Sequence, residues 1–90
     1  MLENLEYLIK TIRKKRNLSS VKSYTNKLLN DKNLSLAKVR EEIDELIEAV
    51  EKNSNKTHEA TDVIYHLMVY LETNNIKIED IMIELKKRQK

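Results

Sequence analysis

Residues 56–73 read KTHEATDVIYHLMVYLET, and as a helix this stretch would be apolar on nearly every side. A helix that is apolar all round is buried all round. Three other short helices cannot easily enclose it in a chain of 90 residues, so we expect one of its faces to meet another subunit. The apolar residues are Ala60, Val63, Ile64, Tyr65, Leu67, Met68, Val69, Tyr70 and Leu71.

Four further segments have apolar residues at steps of three and four, the spacing that indicates amphipathic helices. They run from Leu2 to about Lys15, from a Ser23 cap to near Asn30, from about Ser35 to Lys52 and from about Ile78 to Arg88. We expect the stripe of the segment that ends at Lys52 to face inward. That stripe comprises Leu36, Val39, Ile43, Leu46, Ile47 and Val50.

The composition favours an all-α fold. Charged residues make up 36% of the chain and aromatic residues 4%, and the sequence has no Gly, Pro, Trp or Phe. Because sheet proteins depend on Gly and Pro for turns and on aromatic residues for strands, a bundle of four to five helices is expected instead. A chain this short buries a limited fraction of its surface. We therefore predict one domain over residues 1–90 that is stabilised as a homodimer.

Several classes of protein are disfavoured by the same data. There is no cysteine, which excludes disulfides, thiolate metal sites and thiol catalysis. No apolar run approaches the roughly 20 residues that cross a bilayer, and Met1 to Lys10 carries two Glu, unlike a signal peptide. The net charge is only +2. We therefore expect a cytoplasmic protein that binds neither membrane nor nucleic acid.

Two pairs of acidic residues repeat the same spacing on neighbouring helices. Glu42 and Glu45 lie one turn apart on the third helix, and Glu59 and Asp62 lie one turn apart on the fourth. If the two helices pack antiparallel across the short connection Asn53 to Asn55, the four carboxylates can converge. Their mutual repulsion then requires a cation. Oxygen ligands favour Mg²⁺ or Mn²⁺, and Mg²⁺ indicates a substrate that carries phosphate.

The alternative is that these acids are only a solvated surface. One acidic pair on a lysine-rich helix usually has that explanation. The second pair lies in a helix almost devoid of charge, where burying carboxylates without a partner is costly. We therefore favour the metal site, and a non-catalytic helical dimerisation module remains the alternative.

Hydroxyl and basic groups near the start of the second helix form a candidate phosphate site. Capping of the helix alone explains one of them, Ser23. His66 follows Asp62 by one turn, where it could bond an acid, contact a phosphate or simply be a satisfied interface residue. The candidates on the second helix are Ser23, Tyr24, Thr25 and Lys27.

Three motifs together resemble one family. They are SYTNKLL at residues 23–29, the EExxE motif at residues 41–45, and EATDVIYHL at residues 59–67. Their order and spacing are similar to those of the phosphoribosyl-ATP pyrophosphatases, a branch of the MazG-like superfamily, over about Leu5 to Arg88. The acidic motifs alone would indicate only the wider superfamily, whereas SYTxKL and the DxxYH continuation are narrower.

The resemblance implies a MazG-like helical homodimer that uses Mg²⁺ to hydrolyse phosphoribosyl-ATP to phosphoribosyl-AMP and pyrophosphate, the second step of histidine biosynthesis. A MazG-like nucleoside-triphosphate pyrophosphohydrolase that sanitises nucleotide pools is the alternative enzyme. Arg40 stands where the family typically has Gly, and Ala37 replaces one of two adjacent Lys. The implied metal ligands are Glu42, Glu45, Glu59 and Asp62; Glu41 or Glu45 would deprotonate water; Ser23, Tyr24, Thr25, Lys27 and His66 would contact substrate phosphate or ribose.

Overall fold

The computed structural model describes residues 1–18 and 23–89, and over these residues it contains helices and turns but no strand. The prediction of an all-α fold is therefore confirmed. The polar segment expected between the first two helices, residues 17–20, lies partly outside the described residues. The helices are α1 (Glu3–Lys14, continued by a 3-10 turn at Lys15–Asn17), α2 (Tyr24–Leu29), α3 (Lys32–Lys52), α4 (Lys56–Thr73) and α5 (Ile78–Arg88).

Asparagine occupies the left-handed positions of two turns in this chain, which has no glycine. Asn53 (φ 52°) and Asn55 (φ 56°) flank the connection between α3 and α4, and Asn75 (φ 58°) follows α4. Asparagine enters the left-handed region more readily than most residues. The amide of Ser54 donates to the carbonyl of Ala49 at 3.0 Å and so terminates α3. The sharp reversal makes α3 and α4 a helical hairpin, the most extensive packing in the fold.

Side-chain caps set where the two middle helices begin. Ser23 Oγ accepts a hydrogen bond from the Asn26 amide at 3.1 Å, which confirms the predicted cap of α2. Asp31 does the same for α3, because its Oδ1 accepts from the Leu34 amide at 3.0 Å. The prediction that α3 starts near Ser35 was therefore wrong by one turn, because the Asp31 cap starts the helix at Lys32.

The core lies where α1, α2 and α4 meet. Burial of a large aliphatic side chain contributes about 1.5–3 kcal/mol, so this small cluster dominates the stability of the single chain. α3 packs on α4 beside it through a face that includes the buried Val39 and Ala49. The buried apolar residues of the cluster are Ile9, Ile12, Leu28, Leu29, Met68 and Val69.

The C-terminal half of α3 has a second apolar face that points away from the core. Ile43, Ile47 and Val50 are 42%, 52% and 57% exposed. The prediction that these three residues face inward was wrong for the single chain, because α4 packs on the other side of α3. Ile64 on α4 is also exposed, at 43%.

α5 has no buried residue, and an ion cluster joins it to the rest of the fold. The guanidinium of Arg13 on α1 donates to Glu72 on α4 and, at 2.8 and 2.7 Å, to both carboxylate oxygens of Glu79 on α5. Arg16 donates to the Glu72 carbonyl oxygen at 2.6 Å. We call Arg13, Glu72 and Glu79 the ion cluster. None of the helices described is both long and apolar enough to span a bilayer.

Candidate metal centre

The α3–α4 hairpin brings the two predicted acidic pairs to one side of the fold. Carboxylate oxygens of Glu42, Glu45 and Glu59 lie within 4.8 Å of one another. Glu59 also belongs to a second group, with Asp62 and His58, in which the ligand atoms satisfy the same limit. Glu59 thus connects the two groups. We call Glu42, Glu45, Glu59 and Asp62 the acidic centre.

The electrostatics of the acidic centre disfavour negative charge. The pKa of Glu42 is raised above its ordinary value, first by burial and then by the adjoining carboxyl of Glu45, with a smaller contribution from Asp62. The pKa of Glu59 is raised for the same reasons: burial first, then Glu45 and Asp62. Crowded carboxylates that lose water without gaining a cation hold their protons more tightly. A bound cation would reverse both shifts.

Two oxygens of the acidic centre point to a cation. Glu42 Oε2 and Glu59 Oε2 are buried and have no hydrogen-bond partner among the described residues. Leaving such an atom unsatisfied costs about 1–3 kcal/mol, and more when it is charged. Oxygen ligands from carboxylates suit Mg²⁺ or Mn²⁺. The residues present therefore fit a hard divalent cation, and their role as metal ligands stays a prediction.

The two candidates for activating water lie in different surroundings. Glu45 is part of the acidic centre, where its carboxylate adjoins Glu42 and Glu59. Glu41 is exposed and accepts a hydrogen bond from the Lys38 ammonium at 3.2 Å. The structure thus brings Glu45 to the centre and holds Glu41 in an ion pair beside it.

The four predicted substrate-binding residues of α2 differ in how exposed they are. Ser23 caps the helix through its hydroxyl. Thr25 is only 5% exposed, and its hydroxyl bonds the Tyr65 phenol. Tyr24 and Lys27 are exposed. Because Tyr24 and Lys27 are exposed whereas Thr25 is buried and Ser23 caps the helix, Tyr24 and Lys27 are the better candidates for touching a substrate.

His66 connects α2 to the acidic centre. It is 8% exposed, with Nδ1 3.0 Å from the Asp62 carbonyl oxygen and Nε2 3.2 Å from the Tyr24 hydroxyl. Burial raises the pKa of Tyr24; Lys38 opposes this shift, and the charges of Glu42 and Glu41 add to it. The phenol of Tyr24 therefore lies within electrostatic reach of the acidic centre.

Three further residues lie at this site and were not predicted from the sequence: His58, Lys38 and Tyr65. His58 lies 3.4 Å from an Asp62 oxygen, and its position four residues before Asp62 could have revealed it. Lys38 could have been found in the same way, since it stands one turn before Glu41. Tyr65 belongs to the apolar pattern of α4, and no local pattern indicates that its hydroxyl reaches Thr25.

Comparison with known proteins identifies the family of this chain. The family model described as phosphoribosyl-ATP pyrophosphohydrolase matches residues 5–89. A Dechloromonas aromatica protein named phosphoribosyl-ATP pyrophosphatase is 40% identical over 88 residues, which cover 94% of this chain and 82% of that protein. A Clostridium novyi protein of the same name is 39% identical over 94 residues, covering 99% of this chain and 84% of the relative.

A longer relative carries the same region. The chloroplastic histidine biosynthesis bifunctional protein of Arabidopsis thaliana is 44% identical over 69 residues, which cover 73% of this chain but only 25% of that protein. No solved structure matches the chain. The family match spans nearly all of the chain, including the whole acidic centre. The chain therefore belongs to the phosphoribosyl-ATP pyrophosphohydrolase family.

Proposed function

We propose that this chain hydrolyses phosphoribosyl-ATP to phosphoribosyl-AMP and pyrophosphate, the second step of histidine biosynthesis, in the cytoplasm. The observation that carries the proposal is the acidic centre, in which three carboxylates lie within 4.8 Å and two buried oxygens lack a partner. The identity of the proposed substrate is inferred from membership of the family. The names of the relatives, phosphoribosyl-ATP pyrophosphatase, support the same reaction.

The reaction needs no covalent nucleophile. Water forms a bond to the α-phosphorus, the bond from that phosphorus to the bridging oxygen breaks, and pyrophosphate leaves with the bridging oxygen. The acidic centre would hold Mg²⁺, or Mn²⁺ with the same ligands, and the ion would neutralise phosphate charge and polarise the phosphoanhydride. Glu45 is the better placed of the two candidates to take the proton from water, because Glu41 is paired with Lys38.

The test is a coupled assay of pyrophosphate release from phosphoribosyl-ATP, with Mg²⁺ and with excess chelator. We expect activity that the chelator and Asp62→Asn both abolish. Asp80→Asn is the matched control, since Asp80 is exposed on α5, outside the acidic centre. Release of pyrophosphate from common nucleoside triphosphates but not from phosphoribosyl-ATP would contradict the proposal and favour the MazG-like alternative.

We further propose that the active form is a homodimer that covers the outer apolar face of α3. Ile43, Ile47 and Val50 on α3 and Ile64 on α4 are between 42% and 57% exposed in the single chain. Exposed apolar residues that follow one helix face in this way are typical of an interface. The acidic centre lies on the same hairpin, so a dimer would also stiffen it.

Light scattering after size exclusion tests the dimer. We expect the mass of two chains for the wild type and of one chain for Ile47→Asp, because a charge would be buried without a partner. Ile83→Asp on α5 is the control, since Ile83 is 55% exposed on another helix. A monomeric wild type with full activity would contradict the proposal.

A further inference from the structure

The hydrogen bonds of His66 determine which way the Tyr24 hydroxyl points its proton. The Asp62 carbonyl oxygen can only accept, so the Nδ1 atom 3.0 Å away must carry the imidazole proton. In the neutral ring Nε2 is then an acceptor, and the Tyr24 hydroxyl 3.2 Å from it must donate. The phenol has a single proton, and it donates that proton in the hydrogen bond to His66 Nε2. Tyr24 therefore offers any further partner only acceptor lone pairs.

A second contact fixes the same turn of α2. The Thr25 and Tyr65 hydroxyls are hydrogen-bonded to each other, and the Tyr65 ring packs edge-on against His66 with centroids 4.9 Å apart. Consecutive residues of α2 are thus tied to consecutive residues of α4. This double contact holds the turn of α2 that carries Tyr24 against α4.

Tyr24 nonetheless remains accessible. It is 48% exposed, and the charges of Lys38, Glu42 and Glu41 act on the pKa of its phenol. Phosphate oxygens at neutral pH are acceptors, so they cannot bond an acceptor-only oxygen. Sugar hydroxyls can donate to it. Lys27 on the same helix is exposed, and an ammonium group can donate to phosphate as a point charge.

We infer that Tyr24 recognises a ribose hydroxyl of the nucleotide rather than a phosphate. His66 is the positioning residue that determines this preference, because its Nε2 accepts the hydrogen bond from the phenol. The inference rests on the proposed function, because it deepens the binding of that substrate. It separates the four candidates on α2 by chemistry: Ser23 and Thr25 hold the turn, Lys27 attracts phosphate, and Tyr24 binds sugar.

Tyr24→Phe tests the inference, because Phe keeps the ring and removes only the hydroxyl. Calorimetry with Mg²⁺ present would compare two ligands, phosphoribosyl-AMP, which has sugar hydroxyls, and inorganic pyrophosphate, which has none. We expect affinity for phosphoribosyl-AMP to fall about 3- to 10-fold, the usual effect of one hydrogen bond. Affinity for pyrophosphate should stay within about 2-fold. In hydrolysis assays KM should rise more than kcat changes.

Two variants of His66 separate positioning from simple structural support. Gln can place an acceptor oxygen near the position of Nε2, so His66→Gln should retain the preference for the sugar-containing ligand. His66→Leu leaves the phenolic proton free to donate to a phosphate oxygen, so its affinity for pyrophosphate should rise and the preference for the sugar-containing ligand should be lost. Tyr7→Phe is the control, since Tyr7 is 72% exposed on α1 and lies outside the site.

Equal losses for both ligands in Tyr24→Phe, or no loss for either, would overturn the inference while leaving the proposed function intact if the wild type hydrolyses phosphoribosyl-ATP. A wild type that does not hydrolyse that substrate would overturn the proposed function, and the inference with it.

Discussion

The acidic centre and the ion cluster both gather carboxylates where helices meet, yet their charges are balanced in opposite ways. In the ion cluster Arg13 contacts both Glu72 and Glu79 and lowers the pKa of Glu79 to about 2. In the acidic centre, where burial and neighbouring carboxyls dominate, the pKa values of Glu42 and Glu59 are raised. One region contains its own cation, and the other requires one from solution.

This contrast separates stability from function. Carboxylates paired with a side chain stabilise the fold in every condition near neutral pH. Carboxylates crowded without a cation oppose folding and are favourable only when an ion binds. The acidic centre thus carries an energetic cost that a purely structural protein would have no reason to retain.

The largest effect is expected from neutralising the acidic centre. Glu59→Gln should reduce pyrophosphate release more than about 100-fold. This exceeds the usual effect of removing a residue that only hydrogen-bonds a metal ligand. The same change should leave the melting temperature without metal equal or higher, since it relieves repulsion. Glu51→Gln, an exposed site on α3, is the control. A clear loss of metal-free stability would contradict the contrast.

The reverse pattern is expected when the ion cluster loses its cation. Arg13→Ala leaves Glu72, whose side chain is only 13% exposed, without its partner. We expect a loss of about 1–2 kcal/mol after allowing for the partial exposure of Arg13, equivalent to roughly 5–10 °C in melting temperature. Mg²⁺ affinity should not change. Arg88→Ala, which removes an exposed pair with Glu84, should cost less than about 0.5 kcal/mol.

A smaller effect should accompany metal binding. At a Mg²⁺ concentration ten times its Kd, the wild type should gain about 1.4 kcal/mol of stability, because the ion binds only the folded state. Thermal unfolding with and without Mg²⁺ measures this gain. Glu45→Gln should lose most of it, whereas Arg13→Ala should keep it. Equal gains in all three proteins would mean that the ion binds elsewhere.

The smallest effect concerns pH. Arg13 lowers the folded-state pKa of Glu79 to about 2 from an ordinary value of 4.5. The contribution of Glu79 is therefore fully present above pH 4.5 and disappears as the pH falls towards 2. The difference in unfolding free energy between the wild type and Glu79→Gln, measured by urea unfolding, should be full at pH 6, shrink steadily below pH 4.5 and vanish only below about pH 2. A difference that stays constant with pH would contradict the assigned cause.

Local patterns predicted much of this molecule. Apolar patterns and charges at helix ends indicated all five helices, and the paired i, i+3 acids indicated the acidic centre once a short turn had made α3 and α4 antiparallel. The outward direction of Ile47 could not be predicted from such patterns, because α3 is apolar on two sides. Which side faces the core depends on where α4 packs. The bond from Tyr65 to Thr25 was also hidden, since it depends on how α2 lies across α4.

The most direct test of the account is a crystal structure with Mn²⁺, which has Mg²⁺-like ligand preferences and a usable anomalous signal. We predict one or more anomalous peaks within about 2.5 Å of carboxylate oxygens from both α3 and α4, including Glu59, and none in the Glu59→Gln variant. Mn²⁺-dependent hydrolysis by a protein whose only peaks lie away from Glu42, Glu45, Glu59 and Asp62 would contradict it.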